Sequence, residues 1–136
     1  MEIKELNYEE VNAVIDEILD SLATQQENFC GEKKKVSLAL IKDGVIYGGA
    51  VGSLLYQGFH ISGLAVPEQL RGQGYGSKLM RAIEEVAISL GAKTITVNTQ
   101  NYEAADFYPK LGYQLFATLD DWPIVGGVKH YFYKKV

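Results

Sequence analysis

The chain has 136 residues, 47% hydrophobic and 22% charged, which is the size and composition of one domain (residues 1–136) with an ordinary core and excludes a disordered or disulfide-stapled chain. Thirteen Lys and Arg against 17 Asp and Glu leave a formal charge of −4, which argues against nucleic acid as a partner because a phosphate backbone selects a basic face. One cysteine, Cys30, excludes an intrachain disulfide and fits a reducing compartment, and no run approaches the ~20 apolar residues that cross a bilayer, so a soluble, cytoplasmic protein without a membrane partner is expected.

Residues 2–6, with Ile3 and Leu6 apolar, read as a short first strand. Asn7 can cap a helix, with Glu10 three positions on. Val11, Val14, Ile15, Ile18, Leu19 and Leu22 then follow at helical spacing. The run Glu32 to Lys35 reads as a solvated turn. Val36 to Ile41 and Val45 to Leu55 flank Asp43-Gly44, which signals a hairpin. Phe59 to Val66 is a further strand, whose Ser62-Gly63 pair implies a bulge and whose end is set by Pro67. From Gly74 to Leu90 the pattern is helical: Tyr75, Leu79, Ile83, Val86, Ala87 and Leu90 share one face, and Lys78, Arg81, Glu84 and Glu85 the other. Gly91 stands where a left-handed terminating residue belongs. Thr94 to Thr99 is a β-branched strand. Asn101 can cap a short helix to about Leu111, with Gly112 after it. Tyr113 to Thr118 and Lys129 to Lys135 close the chain as strands. A strand, a helix and a strand over residues 59–99 favour two adjacent parallel strands. The fold class is therefore α/β (α+β), a mixed and mostly antiparallel sheet with helices on its faces.

The chemistry gathers at Arg71-Gly72-Gln73-Gly74-Tyr75-Gly76, between a strand and the start of the long helix. Alternating glycines leave backbone N–H groups accessible, and a helix N-terminus adds unpaired donors and partial positive charge. Together they suit a phosphate or diphosphate; a tight turn opening a helix accounts for the same residues equally well. A dinucleotide loop needs its third glycine one residue later and an acid on the next strand. The NTPase loop needs Gly-Lys-Ser/Thr, whereas Gly76-Ser77-Lys78 has another order.

The stretch from Leu64-Ala65-Val66 through Arg71-Gly72-Gln73-Gly74-Tyr75-Gly76 resembles the acetyl-CoA-binding motif of the GNAT superfamily of N-acetyltransferases, Gln/Arg-x-x-Gly-x-Gly/Ala after a strand ending in Val. Asn101, Ala104, Phe107-Tyr108 and Gly112-Tyr113 resemble a second element of the same family, Asn-x-x-Ala-x-x-x-Tyr-x-x-x-Gly-Phe. The resemblance implies a GNAT-like fold with helices on both faces of the sheet and a splayed pair of parallel central strands. It implies that the amides of Gly72 to Ser77 hold the diphosphate of acetyl-CoA without a metal, and that Leu64, Ala65 and Val66 offer backbone groups to the pantetheine arm. A backbone N–H of this strand would polarise the thioester carbonyl. Asn101 would contact the CoA arm as well as cap its helix. Tyr108 would donate a proton to the departing sulfur after direct attack by an amine. Pro109 directly follows and is expected to end or tighten the helix at Tyr108.

Some relatives carry a basic glutamate near the place of Thr96, which cannot serve; His60, Glu103, Asp106, Asp120 and Asp121 are the other candidates for the base. His60 also reads as an ordinary strand residue, and His130 and Cys30 carry no signal. Asp120-Asp121-Trp122, on the loop between the closing strands, is either a solvated turn or a lure for a cationic amine. The expectation is an N-acetyltransferase acting on a primary amine of a small molecule or peptide. The alternatives are a silent acyl-CoA-binding module and a generic phosphate binder. A homodimer is compatible with this reading.

Overall fold

A computed structural model describes residues 1–100 and 105–136, which fall into two compact units, Met1–Cys30 and Gly31–Val136. The first unit holds helix α1, Tyr8–Thr24. Asn7 caps it as expected: its Oδ1 accepts from the amides of Glu9 (3.0 Å) and Glu10 (3.3 Å). The strand expected over residues 2–6 does not form. Ile3 and Leu6 are three positions apart, so an extended chain would send them to opposite faces, and neither face would gain a continuous apolar row.

The second unit is a six-stranded sheet and one long helix. The strands are β1 Glu32–Lys42, β2 Val45–Tyr56, β3 Gly58–Ala65, β4 Thr94–Gln100, β5 Gln114–Asp120 and β6 Val128–Lys135, in the spatial order β1-β2-β3-β4-β6-β5. Every neighbouring pair is antiparallel except β3 and β4. Asp43 (φ 51°) and Gly44 (φ 77°) turn the first hairpin with both residues in the left-handed region, which suits the twist of the strands they join. The run Glu32 to Lys35 is not a turn. It opens β1 and pairs with Tyr56 to Ser53. β1 is an edge strand, and charged side chains there keep other chains from adding to the open edge.

Helix α2, Tyr75–Ser89, buries Leu79, Met80, Ile83 and Ala87 against one face of the sheet. Ala50, Leu54, Phe59, Ile61, Ile95, Val97 and Phe132 supply the other half of that core. Gly91 (φ 97°) ends α2 as expected, with Gly91 N donating to Ile88 O and Ala92 N to Ala87 O, both at 3.0 Å. Glu84 departs from its expected solvent face. Its side chain is 13% exposed and accepts from Tyr113 Oη at 2.8 Å and Lys134 Nζ at 3.1 Å, and Lys134 also donates to Leu111 O at 3.0 Å. This network ties α2 to β6.

The short helix expected to end near Leu111 is reduced, over the described residues, to turns at 105–108 and a single 3-10 turn, Pro109–Leu111. Pro109 has no N–H to continue an α-helical ladder, so the backbone tightens there. Gly112 (φ 90°) closes the turn. No helix among the described residues is long and apolar enough to cross a membrane.

Candidate active site

The site begins with a split in the sheet. β3 and β4 pair only from Gly58 opposite Thr94 to Ile61 opposite Val97. Beyond that point β3 stays with β2 as far as Ala65, and β4 stays with β6 as far as Gln100. The register of β2 and β3 shifts at the same level: Gly52 faces Ile61 and Val51 faces Gly63, so Ser62 is the extra residue of a bulge. A bulge bends its strand and sharpens its twist, which is how Ser62-Gly63 turns β3 away from β4. The edge of β3 facing the split then has no β4 partner for its backbone groups.

Past Pro67 the chain makes a 3-10 turn, Glu68–Leu70, and reaches the glycine loop. Arg71 Nε donates to Val66 O at 3.1 Å and pins the loop to the strand end. Gly72 (φ 77°) and Gly74 (φ 83°) are both left-handed, and a Cβ on either would meet no atom within 4 Å. The glycines are therefore demanded by backbone conformation, and the loop faces open space. The first amide of α2 to find a carbonyl is that of Lys78, which donates to Gly74 O at 3.1 Å. Among the described residues, no backbone bond outside the helices and strands uses an amide of residues 72–77. The loop thus presents a row of unspent donors at the positive end of a 15-residue helix.

These donors open into a cavity of about 690 Å³ that also occupies the split. Of the residues singled out in the sequence, 64–66, 71, 72, 74–77 and Tyr108 line it. Gln73 does not; its Nε2 donates to Gln69 O at 3.4 Å. Asn101, Glu103 and Ala104 lie outside the described residues. The lining also includes Leu70 and Phe107, which stand within the two motifs but were assigned no role, and Thr99, which sequence reasoning passed over. Thr99 had a legible signal: it continues the inward row Ile95, Val97 and is the one polar member, 3% exposed.

Tyr108 is 7% exposed, and its ring is held on three sides by aromatic neighbours: Phe107 at 5.1 Å, Phe132 at 5.6 Å and Tyr113 at 6.0 Å between centroids. Its carbonyl accepts from Leu111 N (3.0 Å) and Tyr113 N (3.2 Å), so the tightened turn after it fixes its backbone too. Tyr113 does not share its position. Burial first, then the Glu84 carboxylate, pushes the Tyr113 phenol well above its ordinary value of 10, so it remains a donor to Glu84.

The opposite face of the sheet carries His60. Its Nδ1 lies 2.8 Å from Thr96 Oγ1, across the second-last pair of the parallel ladder before the split. Burial is the main cause that lowers its pKa below 6.5, and the charge of Lys129 acts in the same direction. The imidazole is neutral at pH 7. The other candidate acids among the described residues are not part of the cavity lining. Asp106 and Asp120 are exposed, and Asp121 Oδ1 accepts from Gly126 N at 2.8 Å, closing the turn before β6. Trp122 packs against Lys129, whose Nζ is 5.1 Å from its ring centroid. His130 stacks on Phe132 at 6.5 Å.

Comparison with known proteins bears on the family and the fold. The sequence model of the acetyltransferase (GNAT) family matches residues 3–113. A blasticidin-S acetyltransferase of Streptomyces morookaense is 34% identical over 95 residues, 69% of this chain and 62% of the relative. A crystal structure of an acetyltransferase from Bacillus cereus superposes with a TM-score of 0.87 at 28% identity, covering 100% of this chain and 98% of the other. An aminoglycoside 6'-N-acetyltransferase solved with coenzyme A shares the fold, with a TM-score of 0.65 at 18% identity over 85% of this chain and 76% of the other. The protein belongs to the GNAT acetyltransferase family, whose members use acetyl-CoA. The chain spans about three-fifths or less of the length of the curated relatives it matches.

Proposed function

We propose that the protein transfers an acetyl group from acetyl-CoA to the primary amine of a small molecule or peptide. The observation that carries this reading is that residues 72 and 74–77, with their unspent amides, and the buried Tyr108 line one cavity, which runs into the split between β3 and β4. The open glycine loop fits a diphosphate, and the unpaired edge of β3 at Leu64, Ala65 and Val66 fits an extended amide-bearing arm, which pairs as an added strand would. Acetyl-CoA supplies the acyl group as an activated thioester.

The chain's own residues divide the remaining work. A backbone N–H of β3 polarises the thioester carbonyl. Tyr108 supplies a proton to the leaving sulfur. The acceptor nitrogen must approach the planar carbonyl from above or below, so it enters from the side of the split away from the cofactor arm. His60 is on that side. With Nδ1–H donating to Thr96 Oγ1, Nε2 keeps its lone pair and takes the proton the amine loses, directly or through water. Thr96, unable to be a base itself, positions one. The bonds balance: a C–N bond forms as C–S breaks, and the amine proton leaves as the sulfur gains one.

The test is thiol release from acetyl-CoA with a panel of primary amines, alongside calorimetric binding of CoA in competition with ATP and NAD. Thiol release that depends on an amine is expected. Tight CoA binding without turnover on any amine would favour the silent acyl-CoA-binding module, and displacement of CoA by ATP or NAD the generic phosphate binder.

A further inference from the structure

Lys129 opens the outer row of β6, and its ammonium is shared by two aromatic faces: Nζ lies 5.1 Å from the ring centroid of Trp122 and 5.1 Å from that of Tyr131. Two rings at this distance make a cation seat, and here the chain's own lysine fills it. Neither the Lys4–Glu2 nor the Lys134–Glu84 ion pair involves Lys129. Neither neighbouring aspartate answers it. Asp120 stands opposite Val128, one residue from Lys129 and hence on the other face of the sheet. Asp121 is engaged by Gly126 N.

The row that holds Lys129 is also the row that holds His60. Thr96 bonds His60, Thr96 stands opposite Tyr133, and Gln100 stands opposite Lys129. Since directly opposed residues share a face and alternate residues along a strand repeat it, His60, Tyr133, Tyr131 and Lys129 line the side from which the amine enters. Lys129 is close enough for its charge to act on His60. Lys129 is thus a cation on the same face as His60, while Asp120 lies on the other face of the sheet.

We propose that the acceptor carries an anionic oxygen group beside its amine, and that Lys129, braced by Trp122 and Tyr131, binds that group and so selects the acceptor. This rests on the acetyltransferase reading above. A braced ammonium keeps its N–H donors, gives up little side-chain freedom on binding, and repels an acceptor that brings a second cation to the same place.

The test uses matched probes: β-alanine against β-alaninamide, and O-phosphoethanolamine against ethanolamine. For the chain as it stands, kcat/KM is expected to favour the anionic member of at least one pair by about 10- to 100-fold, the worth of one hydrogen bond to a charged group. Lys129→Gln should bring the ratio of kcat/KM within each pair to about one; an effect of the lost charge on His60 acts on both members of a pair and cancels in that ratio. A second readout needs no turnover: in the CoA complex, the Lys129 Nζ resonance of labelled protein should move with the anionic member and not with the neutral one. Preference for the neutral members, an unaltered preference in Lys129→Gln, or a silent Nζ resonance each overturns the proposal. Failure of CoA binding and of amine-dependent thiol release together would instead remove the acetyltransferase reading.

Discussion

Tyr108 lines the cavity, whereas His60 lies on the opposite face of the sheet, in the paired part of β3 and β4. The Tyr108 ring is locked by Phe107, Tyr113 and Phe132, so removal of its hydroxyl changes chemistry more than shape. Tyr108→Phe is expected to lower kcat by about 10²- to 10⁴-fold with CoA affinity nearly unchanged; steady-state kinetics beside calorimetry checks this, and unaltered turnover would remove the role. His60 is held neutral by burial. The acid limb of kcat/KM should accordingly lie below pH 6.5, and His60→Gln should abolish that limb together with most of the rate. Stability follows the same group. The unfolded chain takes up this proton near about 6.5, the folded chain only at lower pH. In between, the unfolded state binds more protons, so the stabilising contribution is complete above about 6.5 and is lost as the pH falls through the folded value. Urea midpoints at pH 7.5 and at pH 5 should differ less in His60→Gln than in the unaltered chain.

The element that matters most is the turn into α2. Gly74 and Gly91 bracket this helix with left-handed φ values of 83° and 97°, and at both a Cβ would meet open space. Alanine at either position should cost about 1 to 2 kcal/mol through backbone strain alone. Only Gly74→Ala should also weaken CoA binding, because only there do the neighbouring amides face the cavity. Urea unfolding and CoA titration of both variants separate the two effects; equal CoA affinity in both would detach the loop from the ligand. Much of this element was readable in advance. The glycine spacing, the helical period and the terminating Gly91 are local signals, each decided within a few residues. The turn at 105–111 was less so. Whether a chain runs as an α-helix or tightens into a 3-10 turn before Pro109 depends on what its carbonyls find, here the amides of Leu111 and Tyr113 folded back onto Tyr108.

Across the Gly31–Val136 unit, the Glu84, Tyr113 and Lys134 network joins α2, the turn before β5, and β6. Lys134→Met leaves a mostly buried carboxylate with one partner fewer and should cost about 2 kcal/mol in urea unfolding. Pairing it with Glu84→Gln removes the uncompensated charge, so the double variant should lose less than the sum of the singles. Strict additivity would mean that the three groups do not act as a unit. The same packing holds Tyr113 beside Tyr108, so the network braces the candidate acid at one remove.

The amino-acid order by itself determined the hairpin, the long helix and its caps, the parallel crossover, the bulge at Ser62-Gly63 and the row of loop amides, because each of these is dictated by local backbone preference or by the period of apolar residues. Pairing partners came from elsewhere in the chain. That Glu32 to Lys35 extend an edge strand depends on β2 being long enough to receive them. That Glu84 is drawn inward depends on a lysine 50 residues away. The surroundings of Asp120-Asp121-Trp122 were decided the same way: strand alternation puts Asp120 on the face opposite Lys129, Asp121 closes a turn with Gly126 N, and the lysine near the start of β6 packs on the ring of Trp122. Neighbours in sequence share an electrostatic sign only if the fold leaves them on one face, and the sheet separates these.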